Sequence, residues 1–407
     1  MVYLRELLAP LGRSERRHWG EVYVRGLLLD GERKSIEPLA GRLLDGNVQA
    51  LQQFIGQSPW QHNPVRRLLA EKMAKALLPV CVWIIDDTGF PKKGKYSVGV
   101  SNQYSGSLGK VGNCQVAVSL HMGTEDACVP VNYALYLPKE WTGDPKRLER
   151  AGVPAQAREF KSKFDLALGL IDEAMGWSVP RGVMLADAFY GKASVFRQGL
   201  LDRGLDYVVE VTGKLAVYGD ETGKVAELSQ APSRRGMANL LLGDLARQWP
   251  EEGWTAIKWR EGTKKGLASR FACLRVMPIK NKGKDAVQPP VQWLLMEQAS
   301  DREPSYKFWF SNLPPETKLE MLVRLAKARW MIEQNYQQQK EELGLDHYEG
   351  RGYLGWHHHV TMNMIAFGFL LLETLRVKKN FWVEPAQGTQ DSADHAGDLD
   401  RGLPDMR

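Results

Sequence analysis

The spacing of apolar and polar positions divides the chain into a helical part, a mixed part and a β-rich part. In residues 1–79, apolar side chains recur every three or four positions, as they do on one face of a helix. From residue 80 onward, short continuous apolar runs replace this spacing, and such runs predict buried strands. We therefore expect a helical N-terminal region followed by an α/β region.

Apolar runs predict the strands of the α/β region. They occupy residues 81–85, 115–122, 129–137, 183–186 and 206–211. Helical spacing at 155–177 precedes the fourth run, and a second helix is predicted at about 191–203. Three antiparallel strands followed by two strands that each come after a helix predict the α/β class, with a mixed sheet flanked by helices.

The rest of the chain reads as β structure and then as helices. Residues 271–277, 291–296 and 308–310 predict strands joined by basic loops, and Pro314-Pro315 ends this part. Helices are predicted at about 316–343, with Gly344 as the C-cap, and at 357–376. The segments expected from this pattern are a helical domain at 1–79, core parts at 80–211 and 314–384, a β-rich insertion at 212–313 and a disordered tail at 385–407. The basic residues of 1–79 are consistent with a DNA-binding domain, and the alternative is a solvated helical face.

Composition narrows the class of protein only slightly. The net charge of +6 over 407 residues makes nucleic acid a reasonable partner without requiring one. The four cysteines form no Cys-x-x-Cys pair, so neither a zinc knuckle nor a disulfide framework is predicted, and a reducing cytoplasm is expected.

The start of the chain has no apolar signal core. The apolar stretch at 360–377 contains charged residues and is interpreted as a buried helix rather than a membrane span.

Acidic residues follow two of the predicted buried strands. Asp86 and Asp87 come directly after the run 81–85, and Asp187 follows the run 183–186. Carboxylates at the ends of buried strands are costly unless something compensates their charge, and a divalent cation is the usual compensation. Side chains alternate along a strand, so only one of Asp86 and Asp87 can face such a site.

The predicted helix at 316–343 offers a third acid. At about 100° per residue, Arg329, Glu333 and Lys340 fall on one stripe of this helix, with Tyr336 close by. A stripe of this kind is unusual on a helix that faces a core. The alternative is a solvated ion pair, since Arg329 and Glu333 are four residues apart.

The sequence resembles the DDE superfamily of transposases, and in particular the insertion-sequence family numbered 701. The resemblance rests on Ile85–Gly94, Gly112–Val118, Asp187–Gly191 and Gly355–Val360, and on Arg329, Glu333 and Lys340, whose spacing matches the pattern Tyr-x2-Arg-x3-Glu-x6-Lys. The tyrosine of that pattern falls on Ala326, so this element is missing, and Tyr336 is a possible substitute.

The resemblance implies a ribonuclease-H-like catalytic core that holds two Mg²⁺ ions, for which Mn²⁺ can substitute. It implies that Asp86, Asp187 and Glu333 bind the ions, with Asp86 favoured over Asp87, and that Arg329 and Lys340 bind DNA phosphates. The implied activity is cleavage at the element's terminal inverted repeats and joining of the 3′-hydroxyl to target DNA. The implied assembly is a homodimer on DNA in the bacterial cytoplasm, associated with the nucleoid and not with a membrane.

Several alternatives stay open at this point. A domesticated transposase acting as a DNA-binding regulator, or a nuclease that does not join strands, would carry the same residues. The run Gly89-x4-Gly94-Lys95 is close to a phosphate-binding loop, but Tyr96 stands where Ser or Thr would hold Mg²⁺. Trp330 is a candidate for stacking on a flipped base. For the histidines 357–359, packing or capping is favoured over a metal site.

Overall fold

The fold is described from a computed structural model, which defines residues 2–106, 109–124, 126–220, 240–260, 267–279, 289–299 and 305–383. The side chains of 378–383 are not described. The predicted tail at 385–407 and the basic residues at 234–235, 264–265, 280, 282 and 284 lie outside these residues.

Helices make up the N-terminal part of the chain, as the spacing predicts. They are α1 (Val2–Leu7), α2 (Ser14–Leu28), α3 (Ile36–Gly41), α4 (Val48–Gly56) and α5 (His62–Ala76). Their apolar faces are buried, with Val22, Leu51 and Leu69 fully covered. Asn47 caps the start of α4, since its side chain accepts a hydrogen bond from the backbone N–H of Ala50.

The central part alternates strands and helices. Its strands are β1 (Val82–Pro91), β2 (Ser101–Ser105), β3 (Lys110–Gly123), β4 (Cys128–Leu135), β5 (Val183–Ala186) and β6 (Tyr207–Val211). Its helices are α6 (Lys139–Thr142), α7 (Pro145–Arg150), α8 (Lys163–Gly176), α9 (Ala188–Gly191) and α10 (Ser194–Asp202). The helix predicted at about 191–203 corresponds to α10, and α9 is a separate short helix before it, capped by Asp187.

The C-terminal part adds further strands and three long helical segments. The strands are β7 (Ala216–Asp220), β8 (Leu240–Leu241), β9 (Thr255–Arg260), β10 (Leu267–Pro278), β11 (Gln292–Gln298) and β12 (Tyr306–Ser311). The helices are α11 (Leu242–Gln248), α12 (Leu319–Ala328), α13 (Trp330–Glu341) and α14 (Tyr353–Val383).

The described strands form one mixed sheet. The order along it is β2-β3-β1-β5-β6-β12-β11-β10-β7-β8, with β4 on β3 and β9 on β10. β1, β5 and β6 are parallel to one another, whereas β3 runs antiparallel to β1. Three antiparallel strands followed by two parallel ones confirm the predicted α/β class. The strands from 212–313 extend the same sheet, since β12 pairs with β6.

The last helix joins the two ends of the chain. α14 packs against α2, α4 and α5 on one side and against β4 on the other. The first half of α14 is buried. By length and composition alone the segment Tyr353–Val377 could cross a membrane, and 50% of the most apolar part of this segment is buried inside the structure. Buried Arg66 of α5 ties these layers together by donating hydrogen bonds to Asn132, Thr361 and the carbonyl of His357.

Two predicted boundaries near the acids are wrong. The strand expected to end at residue 85 continues to Pro91, because antiparallel pairing with β3 extends from Val82 opposite Gly123 to Pro91 opposite Cys114. Residues 86–91, which follow the predicted strand, therefore belong to β1 as well. The single helix predicted at 316–343 is divided at Arg329, where the amide of Ile332 bonds to the carbonyl three residues earlier, a tighter turn than that of an α-helix.

Candidate active site

The two aspartates lie on neighbouring parallel strands at the same level. Ile85 of β1 is opposite Ala186 of β5, so the next residues are Asp86 and Asp187. Asp187 also caps α9, because its Oδ1 accepts hydrogen bonds from the backbone N–H groups of Phe189 and Tyr190. Asp86, in the middle of β1, and Asp187, directly after the end of β5, thus lie side by side at the edge where the parallel part of the sheet ends.

Arg329 connects the first acid with the helical one. Its Nη1 donates to Asp86 Oδ2 at 2.7 Å, and its Nη2 donates to Glu333 Oε1 at 2.5 Å. The side chain of Asp86 is 13% exposed, whereas that of Glu333 is 60% exposed. The predicted proximity of Arg329 and Glu333 is therefore present, and one guanidinium brings the β1 and α13 carboxylates together.

Burial controls the electrostatics of the strand acids. Burial raises the pKa of Asp86 to about 7; the charge of Arg329 opposes this rise, and the charges of Asp187 and Asp87 add to it. Burial also raises the pKa of Asp187, against the effects of the Tyr190 amide and of Arg329. Burial thus disfavours the charged form of both carboxylates, and a positive charge beside them, whether Arg329 or a bound cation, offsets this cost.

The two adjacent aspartates have different partners. Asp86 is opposite Ser119, whose hydroxyl bonds to Tyr336 of α13, so this face of β1 is turned toward α13. Asp87 points to the other face and forms an ion pair with Lys163 of α8 at 2.5 Å. Only Asp86 is therefore in contact with the arginine that also holds Glu333.

The other predicted residues of the helix occupy different surroundings. Lys340 donates to the carbonyl oxygen of Gly89 at 2.8 Å, which attaches the end of α13 to β1 beyond the acids, and burial lowers its pKa. Tyr336 is buried, and its hydroxyl lies 2.6 Å from that of Ser119, so it faces the core rather than the sheet edge. Trp330 is half-buried against the core.

Sequence reasoning missed a fourth acid at the same edge. Ala186 is opposite Val209, so Glu210 of β6 lies at the level of Asp187. Burial raises its pKa, which the charges of Arg329, Lys307 and Lys327 lower and the charge of Asp187 raises. An acid one residue before the end of a predicted strand was the signal that could have identified it.

The chemistry of these donors suits a divalent cation. Among the residues described, no three His, Cys, Asp or Glu side chains converge closely enough to hold a metal ion. The guanidinium of Arg329 nevertheless lies between Asp86 and Glu333 and contacts each through a different nitrogen, so both carboxylates face the same side-chain cation. Carboxylate oxygens are the ligands that Mg²⁺ prefers, so the residues fit the metal provided that Arg329 moves.

The histidines 357–359 pack inside the helical layer. His358 stacks on Trp60 with ring centroids 3.5 Å apart, and His357 stacks on His62 at 4.3 Å. His359 accepts a hydrogen bond from, or donates one to, the hydroxyl of Tyr23 at 2.8 Å. Through these contacts the three histidines pack α14 against the N-terminal helices, and none of these contacts involves the carboxylates described above.

A buried ion pair attaches α12 to the C-terminal strands. Lys327, two residues before Arg329, donates to both oxygens of Glu297 on β11 at 2.5 and 2.6 Å, and Glu297 is 2% exposed. Its Nζ also lies 4.7 Å from the centre of the Trp259 ring and 5.4 Å from that of Trp309. The strands between the second and third acids therefore fix the helix that leads into Arg329.

We expect Glu297→Gln to lower the free energy of unfolding by about 3 kcal/mol, because it leaves the Lys327 charge buried without a counter-charge. Urea unfolding would measure this loss. Glu71→Gln, which breaks the exposed pair between Arg67 and Glu71, is the matched control and should cost less than about 1 kcal/mol. The double variant Glu297→Gln/Lys327→Met should recover most of the loss; equal losses in the single and double variants would contradict this account.

Comparison with known proteins agrees with this geometry. A family described as DDE superfamily endonuclease matches residues 6–266, a range that contains Asp86 and Asp187 and ends before Glu333. A probable transposase for insertion sequence element IS701 of Microchaete diplosiphon is 30% identical over 189 residues, which are 46% of this chain and 46% of that protein. The chain thus matches about half the length of this curated relative. Because the family match spans more than half of the chain, the protein belongs to the DDE superfamily endonucleases.

Proposed function

We propose that the protein is a DNA transposase that cuts at the ends of its element and joins the freed 3′-hydroxyl to target DNA. The observation that carries this proposal is the contact of Arg329 with both Asp86 and Glu333, beside Asp187 on the next strand. Family membership supports an endonuclease, and the IS701 relative supports transposition as the outcome.

In this proposal Asp86, Asp187 and Glu333 hold two Mg²⁺ ions, for which Mn²⁺ can substitute. When bound, such ions activate the attacking oxygen and stabilise the leaving oxygen of the phosphodiester. The protein itself removes Asp86 from solvent. Burial makes the negative charge of this carboxylate costly, and this favours a bound cation over water.

Arg329 has two successive roles in this proposal. Without metal it neutralises Asp86 and Glu333 and keeps the β1 edge and α13 together. With metal it leaves these carboxylates and becomes available to a DNA phosphate at the same edge, for which the planar guanidinium is well suited. Lys340 keeps the end of α13 on β1 through Gly89, and its ammonium group is a second phosphate ligand.

The partners in this proposal are the terminal inverted repeats of the element and the target DNA. Cutting two ends together requires two active sites, so we propose a homodimer on DNA. The proposed place of action is the bacterial cytoplasm, at the nucleoid. The helices at 1–79 are proposed to bind DNA; Arg13, Arg16 and Arg17 give their start a basic surface.

The test is cleavage of DNA that carries the ends flanking the gene, with Mg²⁺, Mn²⁺ or Ca²⁺, by the wild type and by Asp187→Asn. Asparagine keeps the carbonyl oxygen that caps α9, so the fold should be retained while the charge is lost. We expect cleavage with Mg²⁺ and Mn²⁺, none with Ca²⁺, and at least a hundredfold slower cleavage by the variant. Joined products would establish strand transfer.

Other outcomes would select an alternative. Cleavage without joined products would leave a nuclease that does not join strands. Specific binding without any cleavage by the wild type would favour a DNA-binding regulator. Cleavage by Asp187→Asn at the wild-type rate would mean that the catalytic residues are assigned wrongly.

A further inference from the structure

A three-stranded ribbon extends past the edge of the sheet that carries the acids. We use the name ribbon for residues 87–105 and 109–118, which contain the distal halves of β1 and β3 together with β2. β5 and its parallel pairing with β1 end at Ala186, level with Ile85, whereas β1 continues for six residues to Pro91. Beyond that point β3 pairs with β2 as far as Lys110 opposite Ser105.

The ribbon carries two exposed side chains on the face of the sheet that carries Asp86. Asp86 is opposite Ser119, and counting back along β3 in steps of two places Val111 on the same face. Tyr104 of β2 is its cross-strand partner. Their exposed fractions are 63% for Tyr104 and 64% for Val111, unusually high for an aromatic and a β-branched residue paired across two strands.

Beyond Asp87, which is paired with Lys163, the charge of the ribbon has a single sign. Between Gly89 and Gly123 the sequence contains four lysines and no acidic residue. Lys93, Lys95 and Lys110 are exposed, and none of them forms an ion pair with a carboxylate among the residues that the structure describes. Next to them, Tyr96 is 54% exposed and lies under the guanidinium of Arg351 at 5.4 Å.

The base of the ribbon is held firmly to the core. Lys92 donates to the carbonyl oxygen of Tyr348 at 2.6 Å, and Arg147 donates to that of Lys95 at 2.9 Å. The amide of Val98 bonds to the carbonyl of Arg351. The exposed side chains are therefore presented on a supported surface at a fixed distance from the acids.

We propose that the ribbon binds the DNA duplex next to the cleaved phosphate, with Lys93 and Lys95 on phosphates and Tyr104 and Val111 against the sugars or base edges. This inference rests on the proposed function. A basic surface with exposed aromatic groups is complementary to DNA in both charge and chemistry. From Ser119 to Val111 the strand spans about 26 Å, so the contact lies no more than about eight base pairs from the cut.

The test measures binding of fluorescent end DNA in Ca²⁺ at several salt concentrations. The double variant Lys93→Gln/Lys95→Gln should reduce the slope of log affinity against log salt by about 1.8, since each phosphate contact contributes about 0.9. Tyr104→Ala should weaken binding about tenfold without changing the slope, because it removes a contact that carries no charge.

Two controls lie at the start of α12, beyond the point where Ser311 pairs with the start of β6, and so at the opposite edge of the sheet from the acids. Lys318→Gln matches the lysine changes, and Met321→Ala matches Tyr104→Ala because Met321 is also exposed. Both should bind as the wild type does. A chemical cross-linker at position 104 should react with DNA within eight base pairs of the cleavage site.

The outcomes separate this inference from the proposed function. Failure of the wild type both to bind and to cleave would reject the proposed function itself. Wild-type binding with unchanged slope and affinity in the ribbon variants would overturn the ribbon inference alone. A change of oligomeric state by Tyr104→Ala in sedimentation, with unchanged DNA affinity, would also overturn it and would assign this surface to a second copy of the chain.

Discussion

Asp86→Asn is expected to slow DNA end cleavage by about a thousandfold, whereas Asp87→Asn should slow it by less than about tenfold. A thousandfold corresponds to roughly 4 kcal/mol of transition-state stabilisation, a reasonable contribution for a carboxylate that holds metal ions. The difference follows from the two faces of β1: Asp86 contacts Arg329, and Asp87 pairs with Lys163. Single-turnover cleavage with saturating Mg²⁺ would measure both rates.

The comparison is informative because the two residues are adjacent and both variants keep the size of the side chain. Binding of end DNA in Ca²⁺ should be nearly unchanged in both, which would separate chemistry from binding. Equal losses in the two variants would mean that the strand face does not decide which acid is used. A larger loss in Asp87→Asn would reverse the assignment.

Acid is expected to destabilise the protein strongly, because several histidines are buried in the neutral form. Burial lowers the pKa of His62 to about 2, of His121 to about 3 and of His359 to about 4, and it lowers that of His357 well below the ordinary value. In the unfolded chain these groups take up protons below about pH 6.5. The unfolded state then binds more protons than the folded state, so stability falls as the pH decreases.

Below pH 6.5, each such histidine lowers the free energy of unfolding by about 1.4 kcal/mol for every unit by which the pH decreases. Buried Asp86 acts in the opposite direction, since burial raises its pKa, and we expect a net loss of about 3 kcal/mol or more between pH 6.5 and 5. Urea unfolding at each pH would measure it. His121→Gln should reduce the pH slope by about one proton. A stability that does not change over this range would refute the account.

The apolar runs predicted most of the core because each strand is buried on both faces. The runs at 183–186 and 206–211 differ from β5 and β6 by one residue at most. The continuation of β1 to Pro91 was not predictable in this way: it depends on pairing with β3, a contact between segments distant in the chain, and Asp86 and Asp87 resemble a turn locally.

The site was predictable where it depends on strand ends and helix spacing. Asp86 and Asp187 follow apolar runs, and the spacing of Arg329 and Glu333 brings them together on α13. The interaction of Arg329 with Asp86 joins residues 243 positions apart, so no local pattern contains it. Glu210 was missed for a related reason, since its proximity to Asp187 depends on the register between β5 and β6.

The ion pair of Lys327 with Glu297 joins a strand and a helix that leave the ribosome at different times, β11 first and α12 later. Because β11 and β12 precede α12 and α13 in the sequence, the ribosome synthesises these strands before the helix that carries Glu333. At about 5 to 20 residues per second, residues 188–333 take roughly 7 to 30 s to emerge after Asp187. During that interval the nascent chain has Asp86 and Asp187 but neither Arg329 nor Glu333, so under the proposed mechanism a chain released early would be unable to cut DNA.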